Sequence, residues 1–211
     1  MLFFSDKSRL DVSMLKRKFL QTKYILRGGA FILLLYHFCS EKCKKMICED
    51  IHAYSNKSSQ ELLLLELAFD VAKKAFRNIL YYRFQTDGCN ERLLRLCRFF
   101  VPPLPTVEIG GEIGGGLKII HGYCIISVKK AGKNLTVMQG ATIGKNIDGG
   151  QPVIGDNVKI FPNTVVFGDI NIGDNVMIGA GSLINKDVPQ NAVVVGNPFR
   201  IINDRELKAN V

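Results

Sequence analysis

Three histidines, His37, His52 and His121, are the side chains best suited to acid–base chemistry near neutral pH. Only His121 stands in the glycine-rich second half of the chain, where Gly122 follows it. A neutral imidazole can take the proton from a hydroxyl group, which is otherwise a weak nucleophile, and such a base contributes roughly 10²–10⁴-fold to a rate. His121 is therefore the candidate general base, and a purely structural histidine is the alternative.

Three cysteines, Cys39, Cys43 and Cys48, are the next candidates because thiolates bind metals. Their spacing matches no standard zinc pattern, and no histidine follows at the usual interval. We interpret them as buried thiols on a helical hairpin in a reducing compartment. The expected chemistry requires no metal.

The 211-residue chain divides into two unlike halves. Residues 1–105 hold 3 of the 20 glycines and a net charge of +8, whereas residues 106–211 hold 17 glycines and a net charge of +1. Three prolines within 102–105 exclude a helix that continues across this boundary. We predict an α+β fold with a helical domain over 1–103, a β-helix over 104–202 and a tail over 203–211.

Aliphatic residues recur every six positions in the second half, with one interruption. They are Val107, Ile113, Ile119, Ile125, Ala131, Val137, Ile143, Ile154, Ile160, Val166, Ile172, Ile178 and Ile184. A second small or aliphatic position, four places later, is occupied by Ala141, Val158, Thr164, Val176, Ser182 and Val188. This period is typical of a solenoid with three flat sides per turn, in which each aliphatic residue points inward and stacks on its counterpart three hexads later.

One interruption breaks the period, since the step from Ile143 to Ile154 is almost twice the usual step of six. We expect the extra residues of 144–153 to form a loop that projects from a rigid prism. Such a loop is a natural place for a substrate contact, and a tolerated surface insertion is the alternative.

Residues 12–100 are predicted to form several helices. Apolar residues with a spacing of three or four indicate two buried faces, one at Phe69, Ala72, Phe76, Ile79 and Leu80 and another at Leu93, Leu94, Leu96, Cys97 and Phe100. The basic excess of this half suits a solvated face or a peripheral contact with anionic lipids. Nucleic-acid binding is the weakest interpretation because no recognised binding motif accompanies the charge.

The first ten residues carry Asp6, Lys7 and Arg9 where a signal peptide would place its apolar stretch. No apolar run approaches the roughly 20 residues that a membrane-spanning helix needs. We therefore expect a cytoplasmic protein.

Five motifs of the second half resemble the hexapeptide-repeat acyltransferases. They are residues 113–122 (IGGGLKIIHG), 140–144 (GATIG), 172–182 (IGDNVMIGAGS), 186–189 (KDVP) and 196–200 (GNPFR). The chain is most similar to the serine acetyltransferase branch, including relatives that acetylate surface polysaccharides such as colanic acid. The resemblance covers about residues 104–202. It implies a left-handed parallel β-helix, a homotrimer or a dimer of trimers, and acetyl-CoA bound in a groove between neighbouring prisms.

The same resemblance assigns site residues. It places the catalytic base at His121, and it places Ala180, Asn185, Lys186 and Arg200 on the coenzyme. The two cations suit the coenzyme phosphates. Pro162 stands where relatives often have Ala or Ser, so a coenzyme contact there is open.

The acceptor side departs from the serine acetyltransferase pattern. Ile120 and Thr106 occupy the places of two aspartates, one directly before the histidine and one that orients the imidazole. Gly150 and Gln151 occupy the places of an Arg-His pair that contacts the carboxylate of the amino acid. Charge-assisted contacts of that kind are worth about 1.5–3 kcal/mol each, so a chain without them should bind serine poorly.

We therefore expect Gln151 and Glu108 on the acceptor side, and the orienting carboxylate is open among Glu108, Glu112 and Asp148. The leading hypothesis is an acetyl-CoA-dependent O-acetyltransferase that acts on a sugar hydroxyl of a surface polysaccharide or its precursor. Serine acetylation is the first alternative. A non-catalytic β-helix scaffold for trimer assembly is the second.

Overall fold

The computed structural model describes residues 28–55, 60–70 and 73–202. They form five α-helices followed by a parallel β-solenoid of about five turns. The helices are α1 (Ala30–Phe38), α2 (Glu41–Tyr54), α3 (Gln60–Phe69), α4 (Ala75–Thr86) and α5 (Glu91–Phe100). The strands are β1 (Val107–Ile113), β2 (Lys118–Ile120), β3 (Cys124–Ala131), β4 (Thr136–Met138), β5 (Thr142–Gly144), β6 (Val153–Ile154), β7 (Lys159–Ile160), β8 (Val165–Phe167), β9 (Asn171–Ile172), β10 (Met177–Ile178), β11 (Leu183–Ile184), β12 (Val193–Val195) and β13 (Arg200–Ile202). The predicted tail over 203–211 and the predicted helical residues 12–27 lie outside the described residues.

Local signals set the helix ends. Ser40 precedes α2, and its hydroxyl accepts a hydrogen bond from the Cys43 N–H at 3.2 Å, which is a standard N-cap. Asn90 caps α5 in the same way. The predicted boundary falls in the Pro-rich segment between the end of α5 at Phe100 and the start of β1 at Val107.

The first predicted apolar face belongs to two helices instead of one. Helix α3 ends at Phe69 and α4 begins at Ala75, so the spacing that runs from Phe69 to Leu80 crosses a turn. Its members Phe76, Ile79 and Leu80 are fully buried, while Ala72 lies outside the described residues. The prediction of the second buried face is also only partly confirmed. Leu94 and Cys97 are buried, whereas Leu96 and Phe100 are exposed.

The solenoid has three faces. Face I consists of β2, β4, β7, β10 and β12, with β13 added antiparallel at its end. Face II consists of β5, β8 and β11 with the first halves of β1 and β3. Face III consists of β6 and β9 with the second halves of β1 and β3. The long strand β3 therefore joins faces II and III.

Twelve of the thirteen six-spaced residues point into the core, as predicted, and each is at most 6% exposed. The exception is Ile125, which is 41% exposed, while its neighbour Ile126 is 1% exposed and pairs with the buried Ile143. The cause is the corner before β3. Seven residues separate the inward residues Ile119 and Ile126, whereas six separate Val137 and Ile143. One extra residue reverses which side chains of a strand face inward.

The predicted stacking of residues three hexads apart holds for most turns, as in the pairs Ile119 with Val137 and Ile160 with Ile178. The turn that contains the loop is longer, because Val137 pairs with Ile160. The five extra residues of this turn thus project as a loop, and the strand pairing before and after the loop is continuous.

The helices cover the open edge of the first coil. The Tyr54 hydroxyl donates to the Ile119 carbonyl and accepts from the Ile119 N–H, both at 2.8 Å. Tyr82 makes the equivalent pair of bonds to Gly111 and Ile113 at 2.8 and 3.1 Å. An uncovered edge of this kind would invite pairing with another chain, so α2 and α4 act as a cap on the solenoid. Among the described residues, no helix is long and apolar enough to cross a bilayer.

Candidate active site

His121 lies at the corner between face I and face II, after β2 and before β3. Its side chain is exposed, and its backbone has a φ of 65°, a left-handed conformation that is uncommon for a residue with a Cβ. This is the corner with the extra residue. The local backbone therefore turns the imidazole outward, away from the packed interior of the prism.

Thr106 supports this corner. Its hydroxyl donates to the carbonyl of Gly122, the residue after His121, and its own carbonyl accepts from the Cys124 N–H at 3.1 Å. The resemblance places an imidazole-orienting aspartate at this position. Threonine instead fixes the backbone beside the histidine.

The three candidate carboxylates are not brought onto His121. Glu108 is exposed on β1 opposite Ile125, Glu112 is exposed opposite Lys130, and Asp148 is exposed in the loop. Within the described part of the chain, His121 has no hydrogen-bond or ion-pair partner. The imidazole of a single chain is thus solvated and able to turn.

Ala180 shares the corner of His121. The register of face I pairs Ile119 with Val137, then Ile160, then Ile178. The residues two places later therefore form one column along the corner, which we call the His121 column: His121, Gln139, Pro162 and Ala180. Neighbouring strands are about 4.8 Å apart, so three coils place Ala180 about 14 Å from His121 along the prism.

Arg200 continues this side of the prism. It lies at the start of β13 and pairs with Val195, and Val195 in turn lies one coil beyond Gly179. Its side chain is exposed. Two of the four predicted coenzyme residues, Ala180 and Arg200, are thus on the same side as His121.

The other predicted residues lie at the opposite edge of face II, which we call the loop edge. The Gln151 amide donates to the Ser127 hydroxyl at 2.9 Å, and Ser127 stands on β3 six residues after His121. The strand register pairs Ile126 with Ile143, then Val166, then Ile184. Ser127 and Asn185 directly follow the first and the last of these residues, so they lie in one row across the coils. Asn185 and Lys186 are both exposed.

The loop between Gly144 and Val153 is built on Asn146. Its side-chain oxygen accepts from the Gly150 N–H at 2.7 Å, and its backbone N–H donates to the Gly150 carbonyl at 3.0 Å. Ile147 at the tip is fully exposed. The loop is therefore a closed turn that presents an apolar residue away from its own prism.

Within one chain the two groups of predicted residues do not meet. Ser127 is the fourth residue of β3, whereas His121 lies before β3 at the other corner, so the width of face II separates them. His121, Ala180 and Arg200 stand on one side, and Gln151, Asn185 and Lys186 on the other. Face II lies between them.

Face II carries apolar side chains on its outer surface. Ile125 is 41% exposed, Val165 is 37% exposed and Tyr123, beside His121, is 54% exposed. The register places Ile125, Thr142 and Val165 in one row. Sequence reasoning missed this surface because it assigned Ile125 to the interior, and it missed Ser127 because a lone serine in a strand gives no signal.

A separate groove of about 850 Å³ lies on face III. Its lining includes Asp156, Asp174 and Asp187, whose carboxylates accept backbone N–H groups of the coils. These acidic residues would repel the phosphates of a coenzyme. Face III is thus a poor competitor for the donor site.

Comparison with known proteins agrees with this architecture. The model of the family "Bacterial transferase hexapeptide (six repeats)" matches residues 151–186. Serine acetyltransferase 3, mitochondrial, of Arabidopsis thaliana is 37% identical over 102 residues, which is 46% of this chain and 26% of that protein. WcaB of Escherichia coli K12, named as a colanic acid biosynthesis acetyltransferase, is 37% identical over 99 residues, which is 45% of this chain and 61% of that protein. The match spans about a quarter to three fifths of the length of these relatives.

Solved structures show the same fold. The serine acetyltransferase of Neisseria gonorrhoeae is 24% identical, with a TM-score of 0.64 over 87% of this chain and 79% of that one. The serine acetyltransferase of Brucella abortus strain S19 is 23% identical, with a TM-score of 0.60 over 76% of this chain and 68% of that one. The chain thus carries a hexapeptide-repeat β-solenoid behind a helical cap, and its homologues include serine acetyltransferases and WcaB.

Proposed function

We propose that this protein is an O-acetyltransferase that uses acetyl-CoA and acts on a sugar hydroxyl of a surface polysaccharide or its precursor. The observation that carries the proposal is the His121 column. An exposed imidazole at a left-handed corner shares one edge of the prism with Ala180, about 14 Å away along the axis. An extended acyl-carrying arm along this edge would bring its thioester to the imidazole.

In this mechanism His121 takes the proton of the acceptor hydroxyl as the hydroxyl oxygen attacks the thioester carbonyl. The tetrahedral intermediate collapses with cleavage of the C–S bond, and the departing thiolate of CoA receives the proton from the imidazolium. Backbone N–H groups near the corner stabilise the oxyanion. Thr106 contributes by holding the Gly122 carbonyl, and thereby the backbone that carries the imidazole.

A homotrimer, or a dimer of trimers, is part of the proposal. The predicted residues occupy both edges of face II, and a single chain leaves the width of this face between them. In a ring of three prisms the His121 side of one chain would face the loop edge of the next. The exposed Ile125 and Val165 and the apolar loop tip Ile147 support a contact of this kind. Asn185, Lys186 and Gln151 would then complete a neighbour's site.

Serine is the second candidate acceptor, favoured by the names of the Arabidopsis relative and of the solved structures. Two residues of the loop between Gly144 and Val153 favour a sugar as the acceptor. Gly150 has no side chain, and the Gln151 amide is already bonded to Ser127. Neither residue offers the cation that a free amino-acid carboxylate requires. A non-catalytic scaffold is the third candidate, and it is favoured because no carboxylate pairs with His121 within the described part of the chain.

The test is thiol release from acetyl-CoA by the purified protein, with L-serine and with nucleotide-activated sugars or oligosaccharides as acceptors. We expect release with a saccharide, and a loss of roughly 10²–10⁴-fold in His121→Asn. His52→Asn is the matched control, because His52 is also exposed but lies on α2. Release with serine alone would favour the second candidate. Binding of CoA without turnover of any acceptor would favour the scaffold.

A further inference from the structure

Two thiols and a carboxylate converge where three helix ends of the cap meet. Cys39 follows the last residue of α1, Cys43 lies in the first turn of α2, and Asp87 follows the last residue of α4. Their ligand atoms all lie within 4.8 Å of one another. The fold therefore joins residues that are 44 to 48 positions apart in the chain, and the sequence spacing of the cysteines alone gave no sign of this cluster.

We propose that Cys39, Cys43 and Asp87 form a binding site for a thiophilic divalent cation, for which Zn²⁺ is the natural candidate. Zinc takes sulfur ligands at about 2.3 Å and carboxylate oxygens at about 2.0–2.2 Å in a tetrahedral arrangement. Those bond lengths separate the ligand atoms by roughly 3.5–3.8 Å. The cluster thus needs a contraction of at most about 1.3 Å to reach these separations.

The carboxylate is already oriented for this role. Asp87 accepts hydrogen bonds from the Ser40 N–H at 2.8 Å and from the Ser40 hydroxyl. Ser40 lies between the two cysteines and also caps α2. Each carboxylate oxygen keeps a further lone pair, so Asp87 can hold Ser40 and a metal ion together. Hydrogen bonds of this kind commonly orient the ligands of a metal site.

Cys89 is the candidate for the fourth ligand, with water as the alternative. It lies two residues after Asp87 and is half-buried. Its thiol lies outside the set of three ligands that are all within 4.8 Å of one another, so a side-chain movement would have to bring it to the ion. Cys89 also lines a surface cavity of about 640 Å³.

Metal binding here exchanges protons for the ion. The S–H groups of Cys39 and Cys43 donate to the carbonyls of Tyr36 and Arg83. Binding of Zn²⁺ converts these two thiols to thiolates and releases two protons.

The other cysteines differ in their surroundings. Cys97 accepts a hydrogen bond from the Tyr81 hydroxyl, Cys124 is buried in the solenoid, and Cys48 contacts the Tyr36 hydroxyl at 3.8 Å. Among the described residues, the Cys39 cluster is the one group of three ligands within this distance. A bound ion there would tie α1, α2 and α4 together, independently of any acetyl transfer.

The experiment uses the untagged, reduced 211-residue chain, dialysed against micromolar Zn²⁺ and analysed for metal by mass spectrometry. We expect one zinc per chain, a rise in Tm that a chelator reverses, and thiolate-to-metal charge-transfer absorption when Co²⁺ replaces zinc. Cys39→Ser and Cys43→Ser should each weaken binding at least tenfold. Cys48→Ser is the matched control on the same helix and should bind normally.

A second measurement uses the wild-type protein, so it tests the proposal even if the cysteine variants fail to fold. In the wild-type protein, at a urea concentration that exposes the buried thiols, Zn²⁺ should slow the alkylation of Cys39 and Cys43 by iodoacetamide while leaving the alkylation of Cys48 unchanged. Absence of stoichiometric zinc in the reduced wild type would overturn the proposal. So would equal loss of zinc in Cys48→Ser, or equal protection of all three thiols.

Discussion

Asp50 and Arg83 form a buried ion pair between α2 and α4, with contacts of 2.8 Å from Nε and 3.0 Å from Nη2. Both partners also bond to the first coil of the solenoid. Asp50 accepts from the Leu117 N–H at 2.8 Å, and Arg83 donates to the carbonyls of Ile113 and Gly114 at 2.6 Å. The pair is therefore the main polar connection between the cap and the edge that the cap covers.

Removal of one partner of this pair should destabilise the protein strongly. Asp50→Asn leaves the Arg83 guanidinium buried without a counter-charge, which costs about 3–5 kcal/mol in comparable pairs. We expect that loss in the free energy of unfolding by urea. Lys44→Ala, which breaks the exposed pair of Lys44 and Glu41, should leave the free energy of unfolding nearly unchanged. Equal losses in the two variants would contradict this account.

The outward direction of Ile125 can be tested against its neighbour. Ile126→Ala empties a fully buried position and should cost about 2–5 kcal/mol in unfolding free energy. Ile125→Asp should leave the fold of each chain intact. If face II is a contact between chains, the same substitution should shift the mass measured by light scattering from trimer to monomer. The predictions fail if Ile125→Asp unfolds the chain or if Ile126→Ala costs nothing.

A ladder of asparagine side chains supports another corner of the solenoid. Asn157 has a φ of 59°, accepts from Asn134 at 2.8 Å and donates to Asn175 at 3.1 Å. Asn157→Gly keeps the backbone conformation and should cost about 1 kcal/mol for the lost bonds. Asn157→Ala also forces a left-handed backbone on alanine and should cost about 1–2 kcal/mol more. Chemical denaturation of both variants checks the order, and equal costs would show that the conformation is unimportant.

Thr106 is predicted to be a positioning residue for His121. Thr106→Val removes the hydroxyl that holds the Gly122 carbonyl, and we expect kcat to fall about 3–10-fold for the loss of one hydrogen bond. The KM for acetyl-CoA should stay unchanged, because Thr106 lies in the turn before β1 and away from Ala180. Thr106→Ser should restore kcat. An effect on KM alone, or no rescue by serine, would show that Thr106 has another role.

The buried Cys124 thiol should make the protein less stable in alkaline solution. Burial raises the pKa of this thiol to about 12, whereas the thiol of the unfolded chain has its ordinary pKa near 9. Between these values the unfolded chain loses a proton that the folded chain keeps, so stability falls by about 1.4 kcal/mol per pH unit as pH rises. Cys124→Ala should flatten that slope above about pH 9 in urea titrations. An unchanged slope would assign the alkaline loss to other groups.

The inward orientation of most six-spaced side chains could be predicted from the sequence because each turn of the solenoid contacts only its neighbours. A period of six with inward aliphatic residues is a local pattern, and the stacking of Ile160 on Ile178 needs nothing from the rest of the chain. The prediction for Ile125 was wrong because one extra residue at a corner reverses which side chains of the strand point inward. The composition of the segment gives no sign of that change. The same local reasoning identified the extruded loop, since an insertion is visible as a gap in the period.

The candidate site was partly accessible from sequence. His121 stood out as the single histidine of the repeat, and Ala180, Lys186 and Arg200 followed from resemblance. Their division between two edges of face II required the register of every strand between them. Among the described residues of one chain none of Glu108, Glu112 and Asp148 pairs with His121, so the orienting carboxylate stays a prediction. The hydroxyl of Thr106 against Gly122 gave no sequence signal.

The sequence by itself determined the two-part organisation, the hexapeptide solenoid and its loop. These properties depend on residues that are close in the chain, on the positions of the prolines and on a repeat of aliphatic residues that marks the buried side of each strand. The tertiary structure alone decided the pairing of Asp50 with Arg83, of Tyr54 with Ile119 and of Ser40 with Asp87. Each of these contacts joins residues that are 33 to 65 positions apart. They exist because helices pack by fitting apolar surfaces together, and the polar partners that meet there are fixed only once that packing is complete.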